Sequence, residues 1–298
     1  MSDGLVLPAV DHTTGTFVND RNQTLWYQKH IPQTTELRGL VVFHHGILEH
    51  SSRYNEFLNA IAAVGFAVYA LDAVGHGHSE GERGYFDYYP NLVDDVNLLL
   101  DLAKKQLKAT HPNVNKTILV GLSFGGLVSN LTILRKAHAI DAVVLCAPAI
   151  NIPRTFVLKL QTPFASFLST YFPKLRVVPA VDVGHLSDEP DVLAARAEDP
   201  LITTGQLCAR VGDESIKAFD YVDNVKHQIT LPVLVVLGSL EKVVCSTSIN
   251  AFVRDIASED KELKVFENMG HSILSEANRH AVFAHVTSWL KARFESIP

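Results

Sequence analysis

Apolar runs rich in β-branched residues recur at residues 40–44, 67–72, 117–122, 142–147, 232–239 and 263–267. Between them the spacing changes. Leu92, Val96, Leu99, Leu100, Ala103 and Leu107 fall at steps of three and four, which predicts an amphipathic helix. Residues 126–135 are compatible with another helix, and Val282, Val286, Trp289 and Leu290 form a similar stripe near the end. Strands that are apolar throughout, alternating with helices, predict an α/β fold whose mostly parallel central sheet is flanked by helices. Two shorter segments, 15–18 and 24–29, predict an antiparallel lead-in hairpin across Asn19-Asp20-Arg21-Asn22.

The alternation breaks between residues 151 and 221. This stretch contains Pro153, Pro163, Pro173, Pro179, Pro190 and Pro200. It is too long for a connecting loop and too interrupted for another strand–helix unit. The expectation is a helical cap inserted after the sixth strand, dividing the chain into core (1–150), cap (151–221) and core (222–298). Phe156, Val157, Leu158, Leu160, Phe164, Phe167, Leu168, Tyr171 and Phe172 give this cap more apolar surface than it could bury within itself. Such surface suits an acyl channel or a transient contact with a membrane or micelle. Packing on the core alone would instead favour short soluble esters.

With 47% hydrophobic residues in 298, the chain can build a substantial core. A net charge of −6 and no Lys/Arg block argue against nucleic acid as the main ligand. No apolar run approaches the roughly 18 residues of a membrane span. The first twenty residues contain no Lys or Arg to head a signal peptide, so a cytoplasmic protein, at most peripheral to membranes, is expected. Cys146, Cys208 and Cys245 are widely spaced and form no CxxC, which argues against a disulfide scaffold or a zinc site. Composition does not bear on oligomeric state.

Gly121-Leu122-Ser123-Phe124-Gly125 follows the third of the long strands and opens a helix. That context makes the pattern a nucleophile elbow, with small residues two positions either side of Ser123 allowing the sharp turn. A hydroxyl needs a base, an orienting acid and oxyanion donors to become a nucleophile. His271, just after the last strand in Asn268-Met269-Gly270-His271-Ser272, is the candidate base. Glu241 follows the preceding strand in Gly238-Ser239-Leu240-Glu241 and is the only carboxylate in that loop. Its alternative role is a salt bridge with Lys242. The first long strand ends in Phe43-His44-His45-Gly46-Ile47, which places the backbone N–H groups of Ile47 and Phe124 as oxyanion donors. His76 and His78, near Asp72, could begin a metal site, but further ligands at short spacing are absent, so no metal or cofactor is expected. Backbone hydrogen bonding by these histidines is the preferred reading.

Four blocks together, His45-Gly46-Ile47-Leu48-Glu49-His50-Ser51-Ser52-Arg53-Tyr54, Asp72-Ala73-Val74-Gly75-His76-Gly77-His78-Ser79-Glu80-Gly81, Gly121-Leu122-Ser123-Phe124-Gly125-Gly126 and Asp199-Pro200-Leu201, resemble the monoacylglycerol lipase and lysophospholipase branch of the α/β-hydrolases. The resemblance runs through nearly the whole chain. It implies the α/β-hydrolase fold and cofactor-free hydrolysis of fatty acyl esters of glycerol beneath an apolar mobile cap. It also implies Ser123, Glu241 and His271 as the catalytic set, and places Glu49 and Arg53 at the oxyanion loop and the polar end of the pocket, a surface ion pair joining loop to helix being the alternative role of these two. Three positions depart from the family pattern: Leu48 stands for a small residue, Leu122 for a histidine and Glu241 for aspartate. The first two make the pocket entrance less polar. A lysophospholipase, a broad-specificity carboxylesterase and a peptidase of the same fold remain open as activities, and a non-enzymatic binder of hydrophobic ligands as a different class.

Overall fold

The computed structural model describes residues 9–34, 36–151 and 166–295. The main sheet contains β1 (Val10–Val18), β2 (Thr24–Pro32), β3 (Gly39–His44), β4 (Phe66–Leu71), β5 (Thr117–Leu122), β6 (Ala142–Cys146), β9 (Val233–Gly238) and β10 (Lys261–Phe266). A separate antiparallel pair is formed by β7 (Arg176–Val178) and β8 (Leu207–Cys208). The order across the large sheet is β1-β2-β4-β3-β5-β6-β9-β10. The lead-in hairpin of β1 and β2 pairs antiparallel over its whole length and continues antiparallel onto β4. Every other neighbouring pair is parallel.

The parallel strands are buried at every residue in β3, β4, β5, β6 and β9, which is why they read as unbroken apolar runs. Helices supply the cover. α1 (Asn55–Ala63) packs on β4 and on the last helix, α7 (Arg279–Arg293). α2 (Tyr89–Thr110) and α3 (Phe124–Arg135) pack on one another and on the central strands. The stripe expected on α2 is buried as a unit, Leu92, Val96, Leu99, Leu100, Ala103 and Leu107 alike. On α7 the same holds for Val282, Val286, Trp289 and Leu290. α3 begins at Phe124, two residues earlier than its spacing suggests, because the turn at Ser123 leads directly into it.

Between β6 and β9 the described chain is helical at 166–171, passes through β7, α4 (Pro190–Ala197) and β8, and enters α5 (Ala209–Val225). Five of the apolar residues expected on the cap, Phe156, Val157, Leu158, Leu160 and Phe164, lie outside the described residues. Phe167, Tyr171 and Phe172 are exposed. α5 packs on α3 and runs across residue 221, so the expected end of the cap falls inside a helix that also belongs to the core. α6 (Ser246–Asp255) lies against β10.

The chain lays β4 on one side of β3 and β5 on the other. The direction of winding therefore switches between β3 and β5, and ligand crevices in parallel sheets open at the carboxyl ends of such strands. Register aligns those ends: His44 pairs with Gly121, Leu122 with Cys146, Cys146 with Val236 and Phe266 with Gly238. All the loops that carry the expected chemistry leave the sheet along this one edge. Among the described residues no helix is long and apolar enough to cross a membrane.

Candidate active site

Ser123 adopts φ 51°, ψ −116°, a conformation costly for a residue with a side chain. Its surroundings hold it there. Its N–H donates to the Cys146 carbonyl at 2.9 Å, and its own carbonyl accepts from Gly126 and Ala149, each at 2.9 Å. The flanking glycines are required: a Cβ on Gly121 would lie 2.3 Å from the Gly125 carbonyl oxygen, and one on Gly125 would lie 2.0 Å from that of His44. The elbow is thus wedged against both neighbouring strands, and its hydroxyl points away from the sheet toward the histidine loop.

His271 Nε2 lies 3.0 Å from Ser123 Oγ, and Nδ1 lies 2.8 Å from Glu241 Oε2. A carboxylate at Nδ1 can only accept, so the ring keeps its proton there and leaves the Nε2 lone pair for the serine hydroxyl. The second Glu241 oxygen accepts the N–H groups of Val243 at 2.6 Å and Val244 at 3.1 Å. Its side chain is 1% exposed and that of His271 6%. Lys242, the alternative partner for Glu241, instead pairs with Asp188 at 2.7 Å. The acid and histidine loops are joined directly, Leu240 N–H to the Met269 carbonyl and Asn268 N–H to Ser239 Oγ, each at 2.9 Å.

The loop after β3 passes beside the serine, where a Cβ on Gly46 would come within 3.4 Å of Ser123 Cβ. The Ile47 and Phe124 N–H groups have no acceptor among the described residues, and both residues line the same cavity as Ser123. Glu49 braces this loop. One of its oxygens accepts the Gly46 N–H at 2.8 Å, and the other accepts the Tyr54 hydroxyl at 2.7 Å. Arg53 and Arg196 approach that second oxygen at 3.9 and 3.5 Å. Burial, reinforced by Glu49, pushes the Tyr54 phenol well above its ordinary value, so it remains a donor. Arg53 and His50 also meet Asp199 at 3.3 and 2.9 Å. Burial works against the Asp199 carboxylate, but the bonds from His50 and the Leu201 N–H hold its pKa below the usual range.

Two cavities meet at Ser123, one largely apolar and one of mixed lining. The larger, about 510 Å³, is walled mainly by apolar side chains including Leu168, Val178, Ile216, Phe219, Val243 and Val244. The smaller, about 100 Å³, contains Glu49, Arg53, Arg196, Thr203, Thr204 and His271. Leu48 and Leu122 also border the smaller one. Leu48 sits at φ 64° and fits over Gly84, whose added Cβ would lie 2.6 Å from Leu48 Cδ2. A leucine in a left-handed turn is tolerated here because its buried side chain has a seat.

A family model described as serine aminopeptidase, S33, matches residues 35–278. The chain belongs to this α/β-hydrolase family. A monoacylglycerol lipase of Mycolicibacterium smegmatis is 31% identical over 256 residues, covering 86% of this chain and 89% of the relative. A human monoglyceride lipase is 28% identical over 278 residues, with 93% and 89% covered. Among solved structures, a monoglyceride lipase of Saccharomyces cerevisiae in complex with a substrate analogue superposes with a TM-score of 0.81 at 21% identity, covering 98% of this chain and 97% of that one.

In this hydrolase the His-rich blocks are structural. His45 Nδ1 donates to the Gly46 carbonyl at 2.6 Å while Nε2 accepts the Ala73 N–H at 3.0 Å, so both nitrogens of a neutral ring are used. His76 Nδ1 donates to the Val74 carbonyl at 2.8 Å, and the His78 ring packs on Trp26. Cys146 and Cys208 are buried, and Cys245 is partly exposed at the start of α6. Sequence reading missed Arg196, Ser187 and Glu276. Arg196 and Ser187 lie in the Pro-interrupted segment, where no periodicity marks an inward face. Glu276 follows His271 by five residues with nothing local to single it out.

Proposed function

We propose that the chain hydrolyses fatty acyl esters of glycerol through an acyl-enzyme on Ser123. The two relatives described above are monoacylglycerol lipases matched along most of their length, and the chain is a carboxylic ester hydrolase. The observation that carries the finer reading is the Ser123–His271–Glu241 chain standing where a large apolar cavity meets a small one of mixed lining that holds Glu49, Arg53 and Arg196. The acyl chain would take the larger cavity, where each buried methylene contributes about 0.8 kcal/mol. The alcohol would take the smaller.

In this reading His271 Nε2 accepts the Ser123 proton as Oγ attacks the ester carbonyl. Glu241 steadies the imidazolium that results. The negative charge on the tetrahedral oxygen is met by the Ile47 and Phe124 N–H groups, which are already in place before it develops. His271 then returns the proton to the departing alcohol, and water repeats the sequence in reverse to free the acid. In this reading the inserted segment, described from residue 166 on, acts as the cap over these cavities. Exposed Phe167, Tyr171, Phe172 and Leu175 suit it to peripheral contact with a lipid surface.

The family description names an aminopeptidase, but the small cavity argues for an ester. Among the described residues Glu49 is the only acid that lines it. Both Glu49 oxygens are already taken, and two arginines stand beside it. A substrate α-ammonium would find repulsion there.

The Ser123→Ala variant should lose monoacylglycerol turnover and fluorophosphonate labelling while melting within a few degrees of the parent. Turnover that persists in this variant removes the nucleophile assignment. A panel of monoacylglycerol, lysophosphatidylcholine, nitrophenyl esters and aminoacyl amides should place monoacylglycerol first. Preference for the amides would reinstate the peptidase reading.

A further inference from the structure

Glu276 takes no part in the chemistry above, yet its carboxylate is buried beside the histidine loop, the residue being 2% exposed. Among the described residues it has no cationic partner. Burial raises its pKa, against the lowering effect of its bonds to Ser187 and Gly270. A buried carboxylate without a counter-charge is costly, and an apolar side chain of similar size would pack the same space more cheaply. Its hydrogen bonds indicate what it is kept for. The Gly270 N–H donates to both carboxylate oxygens, at 2.9 and 3.1 Å, and Ser187 Oγ donates to one of them at 2.7 Å.

Gly270 and Ser272 flank His271, and both are tied to one short strap of the inserted segment. The Ser272 N–H donates to the Leu186 carbonyl at 2.8 Å. Gly270 reaches Ser187 through Glu276. Farther along, the Ala277 N–H donates to the Glu189 carboxylate at 2.9 and 3.0 Å. On the acid side, Asp188 pairs with Lys242, next to Glu241. The fit leaves little slack, since a Cβ on Gly270 would come within 2.9 Å of Glu276 Oε1 and 3.4 Å of the Leu186 carbonyl oxygen. The bonds to Glu241 and Ser123 orient the imidazole ring, but the backbone at 270–272 determines where that ring is carried. A displacement of about 1 Å at a reacting group can cost on the order of a hundredfold in rate.

We propose that Glu276 is a positioning residue for His271, clamping the Gly270 N–H to the Ser187 hydroxyl so that residues 186–189 form part of the support of the catalytic base. This rests on the reading of Ser123 and His271 as nucleophile and base.

The test uses the full chain and compares Glu276→Ala, Glu276→Gln and Ser187→Ala by steady-state ester hydrolysis, fluorophosphonate labelling rate, active-site titration and thermal melting. Glu276→Ala should lower kcat per titrated site about 10- to 100-fold, leave KM within about twofold, and slow labelling in parallel. Glu276→Gln should lose clearly less than Glu276→Ala, because an amide oxygen in the Oε1 place still accepts from Ser187 and, by the longer bond, from Gly270, although the amide nitrogen takes the place of the nearer acceptor. Ser187→Ala should lower kcat less than Glu276→Ala and add nothing in the Glu276→Ala background. Parent-like kcat per site in folded Glu276→Ala overturns the proposal, including where only the melting temperature falls. So does a loss in Glu276→Gln equal to that in Glu276→Ala, which would point to charge rather than clamping. If Glu276→Ala does not fold, parent-like kcat in Ser187→Ala overturns it. An inert Ser123→Ala beside an unaffected Glu276→Ala sinks the clamp alone, whereas an active Ser123→Ala takes away the parent reading and the clamp with it.

Discussion

Glu241 stands one methylene farther from its backbone than an aspartate would, and the surrounding N–H groups make use of that length. While one oxygen reaches His271, the other is held by Val243 and Val244. Glu241→Asp should therefore fail to span both sets of partners and lose about tenfold or more in kcat despite keeping its charge. Glu241→Gln should lose more, on the order of a thousandfold, because an amide cannot hold the tautomer in the same way. Steady-state kinetics on both variants would check the order, and an aspartate variant as active as the parent would show that the longer arm is incidental. Arg196 affords a second test at this scale. Among the described residues its guanidinium makes no hydrogen bond, only the 3.5 Å ion pair with Glu49, although it borders the small cavity. Its donors are free for hydroxyl groups of the leaving alcohol. Arg196→Met should raise KM for monoacylglycerol about five- to fiftyfold and leave a nitrophenyl ester of the same acid nearly unchanged. Equal effects on both esters would remove Arg196 from alcohol recognition.

At the scale of elements, the elbow is where local sequence and global structure agree most closely. Gly121 and Gly125 were legible as small residues around a serine, and the structure supplies the distances that make them necessary. Gly125→Ala should abolish activity and lower the melting temperature by several degrees, since its methyl would meet the His44 carbonyl and push apart the loops bearing Ile47 and Ser123. Normal labelling of that variant would mean the elbow can relax. Buried parallel strands and the stripe of α2 were equally readable, because each expresses one periodicity without interruption. Helices α1, α4, α5 and α6 were not, and three of them show why. α6 buries only Ile249 and Phe252, too few to mark a face. α1 is nine residues long and its spacing is easily lost in the loop around it. α5 carries Asp213 and Glu214 on its buried side, satisfied by Lys217 one turn on, so its inward face reads as polar. The serine, acid and histidine were accessible because chain order and strand ends place them. Arg196 and Glu276 depend on how the inserted segment folds back, which no local pattern records.

At the scale of the whole molecule, four histidines are held neutral around β2, β3 and the oxyanion loop. Burial lowers the pKa of His30 and His44 to about 4. It lowers His45 well below 6.5 and His76 in the same direction. Between pH 6.5 and 4 the unfolded chain therefore binds more protons than the folded one, and stability falls as the solution is acidified through that window. A shift of the size seen at His44 corresponds to about 3 kcal/mol once the unfolded histidine is protonated, against a typical total of about 5–15 kcal/mol. Asp95 and Glu276 oppose the trend: burial raises both carboxyls, that of Asp95 to about 6, so their strain is relieved on acidification. Two such groups against four histidines leave the sign unchanged. Urea unfolding should show its midpoint fall steadily from pH 7 to pH 5 with little change in slope. The oxyanion loop should be among the first regions affected, because protonating His45 at Nε2 removes the acceptor for the Ala73 N–H and sets two donors against each other, which displaces the ring that also holds the Gly46 carbonyl. Fluorophosphonate labelling should then be lost at a lower urea concentration at pH 5 than at pH 7. A midpoint that is flat or rises across this range would mean that the buried imidazoles are protonated within the fold, and that the neutral loop proposed to carry the oxyanion donors is not the state the protein uses.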